Sequence, residues 1–408
     1  MSNASDHRTA GLIIAGNFLQ SISVGINAII FTTALASYGA STSLIGLILA
    51  IEYLSVFAIS FGLPRILKVI SLSVGLELSL LFRIPAILAL CYVTKPEWWA
   101  FWVFLHGVGN FLFGILLQTW INGLAFERNK GFVMGLFGTS ISLGLALGPP
   151  LIYLSGVNPE LMAPIVQFME SFMRLHLNLE FPVEVSFMTK TGLLLSAIIS
   201  ACAAIPTLIC RFSAPRPKIS IATVPQIIRS SPAAFFAVML CGFTILGLQS
   251  FITLYGMKNG LDITAASYLM TAFMLGSITL EVPIASLSDR FDRRYVLIIL
   301  VLLSLVSAIY LPIAVYWTWP ARILLFVWGG MMGAIFSICL ALISERFEGE
   351  KLVPANGAFS IMDNFGGLIG VLTMGLAMDY FGEDGFPYAL MLASVAYFSF
   401  ALTRYRVQ

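Results

Sequence analysis

Charge is what this sequence has least of. Asp, Glu, Lys and Arg make up only 10% of its 408 residues, against about 25% in a soluble domain. The shortage comes in long blocks. No charged residue lies between Arg8 and Glu52, between Glu97 and Glu127, or within 131–159, 191–210, 230–257 and 295–321. A water-facing surface cannot be built from such blocks, whereas about 20 apolar residues cross a bilayer as a helix. Lipid offers the backbone no hydrogen-bond partner, so such spans must be helical. The expected fold is an all-α integral membrane protein.

Cysteine and histidine are scarce too, at five and three residues. Cys91, Cys202, Cys210, Cys241 and Cys339 all fall inside apolar spans, with no CxxC spacing and no histidine pair nearby. That spacing supports neither a disulfide framework nor a zinc site, and buried apolar filler is the better reading. Also absent are a nucleotide-binding loop, an HExxH helix and a nucleophile elbow. The expectation is no enzyme, no cofactor and no nucleic-acid partner; the lipid bilayer and a small solute remain, and the chain is expected to be a monomer.

What is present is a run of twelve apolar spans, near 10–38, 43–67, 72–94, 98–125, 132–155, 191–210, 232–256, 264–286, 295–317, 321–344, 355–379 and 386–403. The first is long and lacks a small-residue cleavage site after a short apolar core, so it reads as a retained helix. An even number puts both termini on one side. Lys and Arg mark the cytoplasmic face. The two tails and the loops after even-numbered spans hold sixteen, while the opposite loops hold Lys95, Arg174, Lys190 and Lys258. Both termini are therefore expected in the cytoplasm, with the chain in the plasma (inner) membrane. The net charge of +2 is mostly this topology signal.

The chain divides once. Residues 211–231, "RFSAPRPKISIATVPQIIRSS", carry four cations and three prolines, the composition of a cytoplasmic linker. It separates residues 1–210, an N-terminal half of six spans, from residues 232–408, a C-terminal half of six. The halves repeat. "ERNKGFVMGLFGTSISLGLALG" (127–148) parallels "ERFEGEKLVPANGAFSIMDNFGGLIG" (345–370), so that Gly144 and Gly148 match Gly366 and Gly370. Small residues four apart let helix backbones approach closely, and the repeated pair predicts equivalent packing seams.

Within the repeat, "ASLSDRFDRR" (285–294) between spans eight and nine resembles the cytoplasmic loop motif of the major facilitator superfamily, G-x-x-x-D-R-x-G-R-R. Asp289, Arg290, Arg293 and Arg294 match it, while Ala285 and Asp292 stand where the family has glycine. The corresponding first-half loop, "GLPRILKVIS" (62–71), keeps Gly62 but lacks the aspartate and the paired arginines. "GLALGPP" (144–150), with Gly144, Gly148 and Pro149, is similar to the G-x-x-x-G-P motif of drug–proton antiporters, without the family's following glycine pair. The overall pattern is similar to the YcaD-type members. The resemblance implies two six-helix halves that rock about a central site, with spans one, four, seven and ten around it. It also implies a latch in which Asp289 lies near the positive N-terminal end of span five. The alternative is a topogenic knot of positive-inside charge.

Ionisable residues inside the spans are Glu52, Glu77, Arg83, His106, Glu281 and Asp363. At a helix centre Arg or Asp costs roughly 2.5–3.5 kcal/mol on translocon scales, which makes each a candidate functional residue. Glu77 and Glu281 lie near the cytoplasmic end and read as structural. Glu52 and Asp363 are roughly 13–15 Å deep, near the middle of a ~30 Å core. Asp363 shares a face with Gly366 and Gly370, so it reads equally as a packing-seam residue hydrogen-bonded across a helix pair. Arg83, beside Pro85 in span three, needs a counter-ion from another helix. His106 in span four shares a face with Asn110, with Gln118 further along; a lone histidine is also often a satisfied core residue. Val103 stands where the family has an arginine. Asn17, Gln20, Asn27 and Gln249 are further polar candidates on spans one and seven.

Residues 157–190 form a longer loop than the family has between spans five and six. The stripe in "LMAPIVQFMESFMRLHLNL" (161–179) reads either as a helix on the outer membrane surface or as an ordered loop on the helix ends. Together these features predict a secondary active transporter of a small solute. Protons are the expected coupling ion, because Glu52, His106 and Asp363 can change charge when shielded from water, and the span-five motif tilts the direction towards export. An uptake permease, or a membrane sensor or scaffold that kept the fold, stands as the alternative.

Overall fold

A computed structural model describes residues 2–69, 71–124, 130–157, parts of 163–175, 185–209, 224–347 and 352–405. Among them stand twelve long helices: α1 (Ser2–Ser37), α2 (Thr42–Val69), α3 (Leu72–Leu90), α4 (Pro96–Gly123), α5 (Lys130–Val157), α6 (Phe187–Ile209), α7 (Pro232–Lys258), α8 (Ile263–Ala285), α9 (Arg293–Ala314), α10 (Thr318–Arg346), α11 (Leu352–Phe381) and α12 (Gly385–Tyr405). Among the described residues eleven stretches are long and apolar enough to cross a membrane, and the last, Gly357–Ala401, runs through most of α11 and α12 about the 3-10 turn Gly382–Asp384. A multi-pass, all-helical membrane fold is the result. Proline inside α3, α5, α6, α8 and α9 is tolerated because neighbouring helices and hydroxyl side chains satisfy the freed backbone groups.

The described chain forms two compact units, one of residues 1–40 and 54–218, the other of residues 41–53 and 219–408. The segment 41–53, the first turns of α2, thus groups with the second unit. A short helix, Val224–Ser230, leads into α7.

Helix ends follow from local chemistry. Gly39 and Gly260, at φ of 79° and 88°, end α1 and α7 in the left-handed conformation that a side chain disfavours. The same pair of bonds closes both ends: Gly39 N to Ala36 O with Ala40 N to Leu35 O, and Gly260 N to Met257 O with Leu261 N to Gly256 O. Two helices in corresponding positions of the repeat therefore stop by one device. Ser71 caps α3 at Val74 N, and Asp262 caps α8 at Ala265 N.

In the first unit α1 packs against α5 and α6, and α3 against α4 and α6. The α1–α5 seam is made of small residues. A Cβ on Gly144 would meet Ser21 and Phe18, and one on Gly148 would meet Gly25. In the second unit α7 packs on α11 in the same manner: Gly242 lies on the Asp363 backbone, Gly366 on Met239, and Gly370 on Phe243. A further seam joins α8 to α10, where Gly276 lies on Phe326, Gly329 on Phe273 and Gly330 on Leu280. Lipid tails are as apolar as leucine, so association rests on such close van der Waals contact.

Polarity runs inside out. On α9, Ile299, Leu302, Leu303, Val306, Ile309 and Ile313 are exposed, whereas Ser304, Ser307 and Ala308 are buried. Trp328 of α10 donates its indole N–H to Ser304 Oγ at 2.7 Å. Exposed aromatics gather where an odd helix turns into the next even one: Trp98 and Phe101, then Tyr316, Trp317 and Trp319, then Tyr380 and Phe381. These are the positions of an interfacial aromatic belt.

Of the insertion 157–190 only fragments are described. Val166 is buried, Phe168 and Leu175 are exposed, and Glu170 pairs with Lys190 at 3.7 Å. His176 lies outside the described residues. Cys91, Cys202, Cys241 and Cys339 are free thiols; Cys210 is also outside.

Candidate functional site

In the first unit, α1 and α4 face each other with a polar ladder. Gln20 Nε2 donates to Asn110 Oδ1 at 2.8 Å, and Asn27 Nδ2 lies 3.1 Å from His106 Nε2. The spacing explains the ladder: Gln20 and Asn27 are seven residues apart on α1, and His106 and Asn110 four apart on α4, so each pair shares a face. An amide Nδ2 can only donate, so in this arrangement His106 Nε2 is the acceptor. The ring also meets the edge of Phe31, with centroids 5.2 Å apart. Gln20 Oε1 and Asn27 Oδ1 are buried with no hydrogen-bond partner among the described residues. A buried acceptor left unmet costs roughly 1–3 kcal/mol, so the ladder carries spare acceptor capacity.

Asn17 turns elsewhere. Its Nδ2 donates to Ser140 Oγ at 2.9 Å and to the Phe137 carbonyl at 3.3 Å, which ties α1 to α5 one turn before the Gly144 contact. Arg83 is fully buried, and its Nη2 donates to Ser23 Oγ at 2.9 Å. Ser23 in turn meets Ser196 Oγ at 2.6 Å and Ser200 Oγ at 2.9 Å on α6. Arg83 thus faces the interior of the unit, where hydroxyls of α1 and α6 gather at its guanidinium. The i, i+4 serines of α6 are the signal in the sequence that could have pointed to this group. Gln118 is exposed, and Gln249 is 7% exposed on α7.

In the second unit, α2, α7 and α11 bring together Glu52, Tyr53, Ser250 and Asp363. Tyr53 is hydrogen-bonded to Ser250 and lies in the field of both carboxylates. Glu52 and Asp363 are half-buried. The α7–α11 contact at Asp363 is made by its backbone, which lies against Gly242. Tyr53 and Ser250 escape a sequence-based search, because each looks like an ordinary core residue until the two helices meet.

The charged loop after α8 begins as a 3-10 turn, Ser286–Asp289. The Asp289 side chain lies outside the described residues. Arg290 and Arg294 are exposed and Arg293 is half-buried. Asp292, which replaces a family glycine, acts locally. Its Oδ1 accepts the Arg294 N–H at 2.8 Å and caps α9.

Comparison with known proteins agrees with this geometry. The Major Facilitator Superfamily model matches residues 234–407. The MFS-type transporter YfkF of Bacillus subtilis is 23% identical over 291 residues, 70% of this chain and 67% of that one. The MFS-type transporter YcaD of Escherichia coli is 22% identical over 299 residues, 73% of this chain and 70% of that one. Among solved structures, a bacterial homologue of the human lysosomal transporter Spinster superposes with a TM-score of 0.71 at 13% identity, covering 99% of this chain and 96% of that one. The nucleoside transporter NupG superposes with a TM-score of 0.70 at 14% identity, covering 97% of this chain and 98% of that one. Over residues 234–407 the chain matches the Major Facilitator Superfamily model, and over most of its length it is similar to MFS-type transporters. The role that these likenesses support is that of a secondary transporter of a small molecule rather than an enzyme.

Proposed function

We propose that this transporter is driven by protons, with Glu52 and Asp363 as the groups that carry them and the α1–α4 ladder as a contact for the solute. The observation that carries the reading is the grouping of Glu52, Tyr53, Ser250 and Asp363 on three helices of one unit. A carboxylate at that depth can be protonated on one side of a membrane and released on the other. A merely structural one would stay paired throughout the cycle. The spare acceptors of Gln20 and Asn27, with His106 beside them, suit a solute that offers N–H or O–H donors.

The remaining parts follow the same reading. The distribution of Lys and Arg supports both termini in the cytoplasm of a plasma (inner) membrane. Gly144, Gly148 and Pro149 on α5 support export over uptake. Asp289 is proposed as a latch at the cytoplasmic face, with Arg290, Arg293 and Arg294 around it, and the chain is proposed to act as a monomer. Glu52→Gln tests the core of this. It keeps size and hydrogen bonding but removes titration. Proton-driven accumulation should vanish while exchange at equal pH persists. Accumulation that survives would remove Glu52 from the coupling role, and loss of exchange as well would assign it to binding or packing.

A further inference from the structure

The α8–α10 seam holds a carboxylate whose sequence position alone reads as structural. Glu281 is half-buried on α8, and Ser337 of α10 donates its hydroxyl to Oε1. Ser277, one turn earlier on α8, is also hydrogen-bonded to it. Gly333, one turn before Ser337, faces the same point, where a Cβ would meet Ser277 Oγ at 2.7 Å and Glu281 Oε2 at 2.8 Å. Two i, i+4 pairs therefore oppose each other: Ser277 with Glu281, and Gly333 with Ser337. The missing side chain at Gly333 is what admits the carboxylate. Further along, the seam is closed by backbone contacts of Gly276 with Phe326 and of Gly329 with Phe273.

Among the described residues no cation pairs with this carboxylate; its partners are hydroxyls. A titratable group on a neighbouring helix that interacts with it is a thiol. Cys241 of α7 lies in its field, with Cys339 of α10 and Asp363 of α11 also acting on that thiol. Of the nearby cations, Arg290 follows the turn after α8, and Arg293 and Arg294 open α9. Two hydroxyls are a poor replacement for the hydration of a full charge in a seam this tight. A proton on the carboxyl removes that charge, and the acid O–H can donate to a serine oxygen, since a hydroxyl accepts as readily as it donates.

We infer that Glu281 is a proton-binding site of this transporter, held by Ser277 and Ser337 in the gap left by Gly333. Protonation lets the seam stay dry and closed; deprotonation calls for water there. Glu281 lies one turn before the end of α8, directly ahead of the Ser286–Asp289 turn. Its charge state is thus placed to act on the turn that carries Asp289 and Arg290 and leads into α9 at Arg293. The consequence for flux rests on the proton-coupled reading above, but the protonation itself does not.

The test is infrared pH-difference spectroscopy on the purified protein in lipid nanodiscs, with neither solute nor gradient present. Wild type should show a carboxyl C=O band that titrates. Glu281→Gln should lose that band, and Ser337→Ala should move its frequency because a hydrogen bond is gone. Should Glu281→Gln fail to fold, Glu281→Asp and Ser337→Ala carry the test, each with a displaced band. Spectra identical in wild type and all variants, or no titrating band at all, overturn the site. If vesicles show no proton-dependent flux while the Glu281 band persists, the coupled reading fails and the site stands.

Discussion

Asp379, near the end of α11, caps the start of α2. Its Oδ1 accepts the Thr42 backbone N–H at 2.9 Å and also the Thr42 hydroxyl, while Oδ2 accepts the Ser43 N–H at 2.9 Å. Leu44 N completes the turn on Ser41 Oγ at 3.2 Å. The first N–H groups of a helix have no partner within it. Here three of them are met, two by a residue more than three hundred positions away in sequence.

Removing that cap should loosen the start of α2. Asp379→Ala is expected to cost about 1 kcal/mol, as for other lost caps, with Asp379→Asn falling between. Amide exchange at Thr42 and Ser43 should quicken while exchange at the middle of α7 stays as it was. Unchanged protection at both amides would show that the carboxylate does not hold the turn.

The glycine seams differ from glycines in open space, and substitution should tell them apart. A Cβ on Gly366 would run into the backbone of Met239 and Phe243, whereas one on Gly357 meets nothing within 4 Å. Backbone cannot give way as a flexible side chain can. Gly366→Ala should destabilise the protein by an amount typical of overpacking, about 1–3 kcal/mol, and lower its melting temperature. Gly357→Ala should leave the melting temperature within error. Equal stability of the two variants would mean that the α7–α11 approach is looser than these contacts require.

Much of this architecture is legible in the sequence, for physical reasons that also set its limits. Long uncharged blocks mark the helices because lipid admits no other backbone, and observed ends differ from the expected ones by a few residues, α1 alone starting well before 10. The repeat around Gly144 and Gly366 is visible because close approach demands small residues. Partners are another matter. Nothing local in "TSLIG" announces Asp379, and nothing around Glu281 announces Ser337, since each contact joins distant helices. Asp292 is different: an aspartate just before an apolar block is an ordinary N-cap, although beside the family motif the position stands out only for the glycine it lacks. Arg83 in an apolar span calls for a counter-ion from another helix, and what meets its Nη2 is the serine group of α1 and α6.

The Asp289 latch makes a separate prediction. Asp289→Asn should lower flux while expression and membrane insertion hold, and it should change which engineered cysteines at the two mouths react with a soluble thiol reagent. Normal flux with an unchanged reactivity pattern would leave the motif as a topology signal only.

Orientation can be read with tags. One placed after Gln408 and one within 211–231 should be protected in right-side-out vesicles, and one within 157–190 should be reached from outside. An exposed C-terminal tag would invert the topology and remove the case built on cation distribution.

Transport itself is the central claim, and flux in sealed vesicles tests it most directly. Vesicles containing the purified protein are screened with a panel of metabolites and drugs, with and without an imposed proton gradient, alongside protein-free vesicles. The account predicts that at least one solute moves only when the protein is present, that the gradient drives its accumulation, and that an ionophore abolishes the drive. Absence of gradient-dependent flux for every solute, from protein that is folded and inserted, would contradict it.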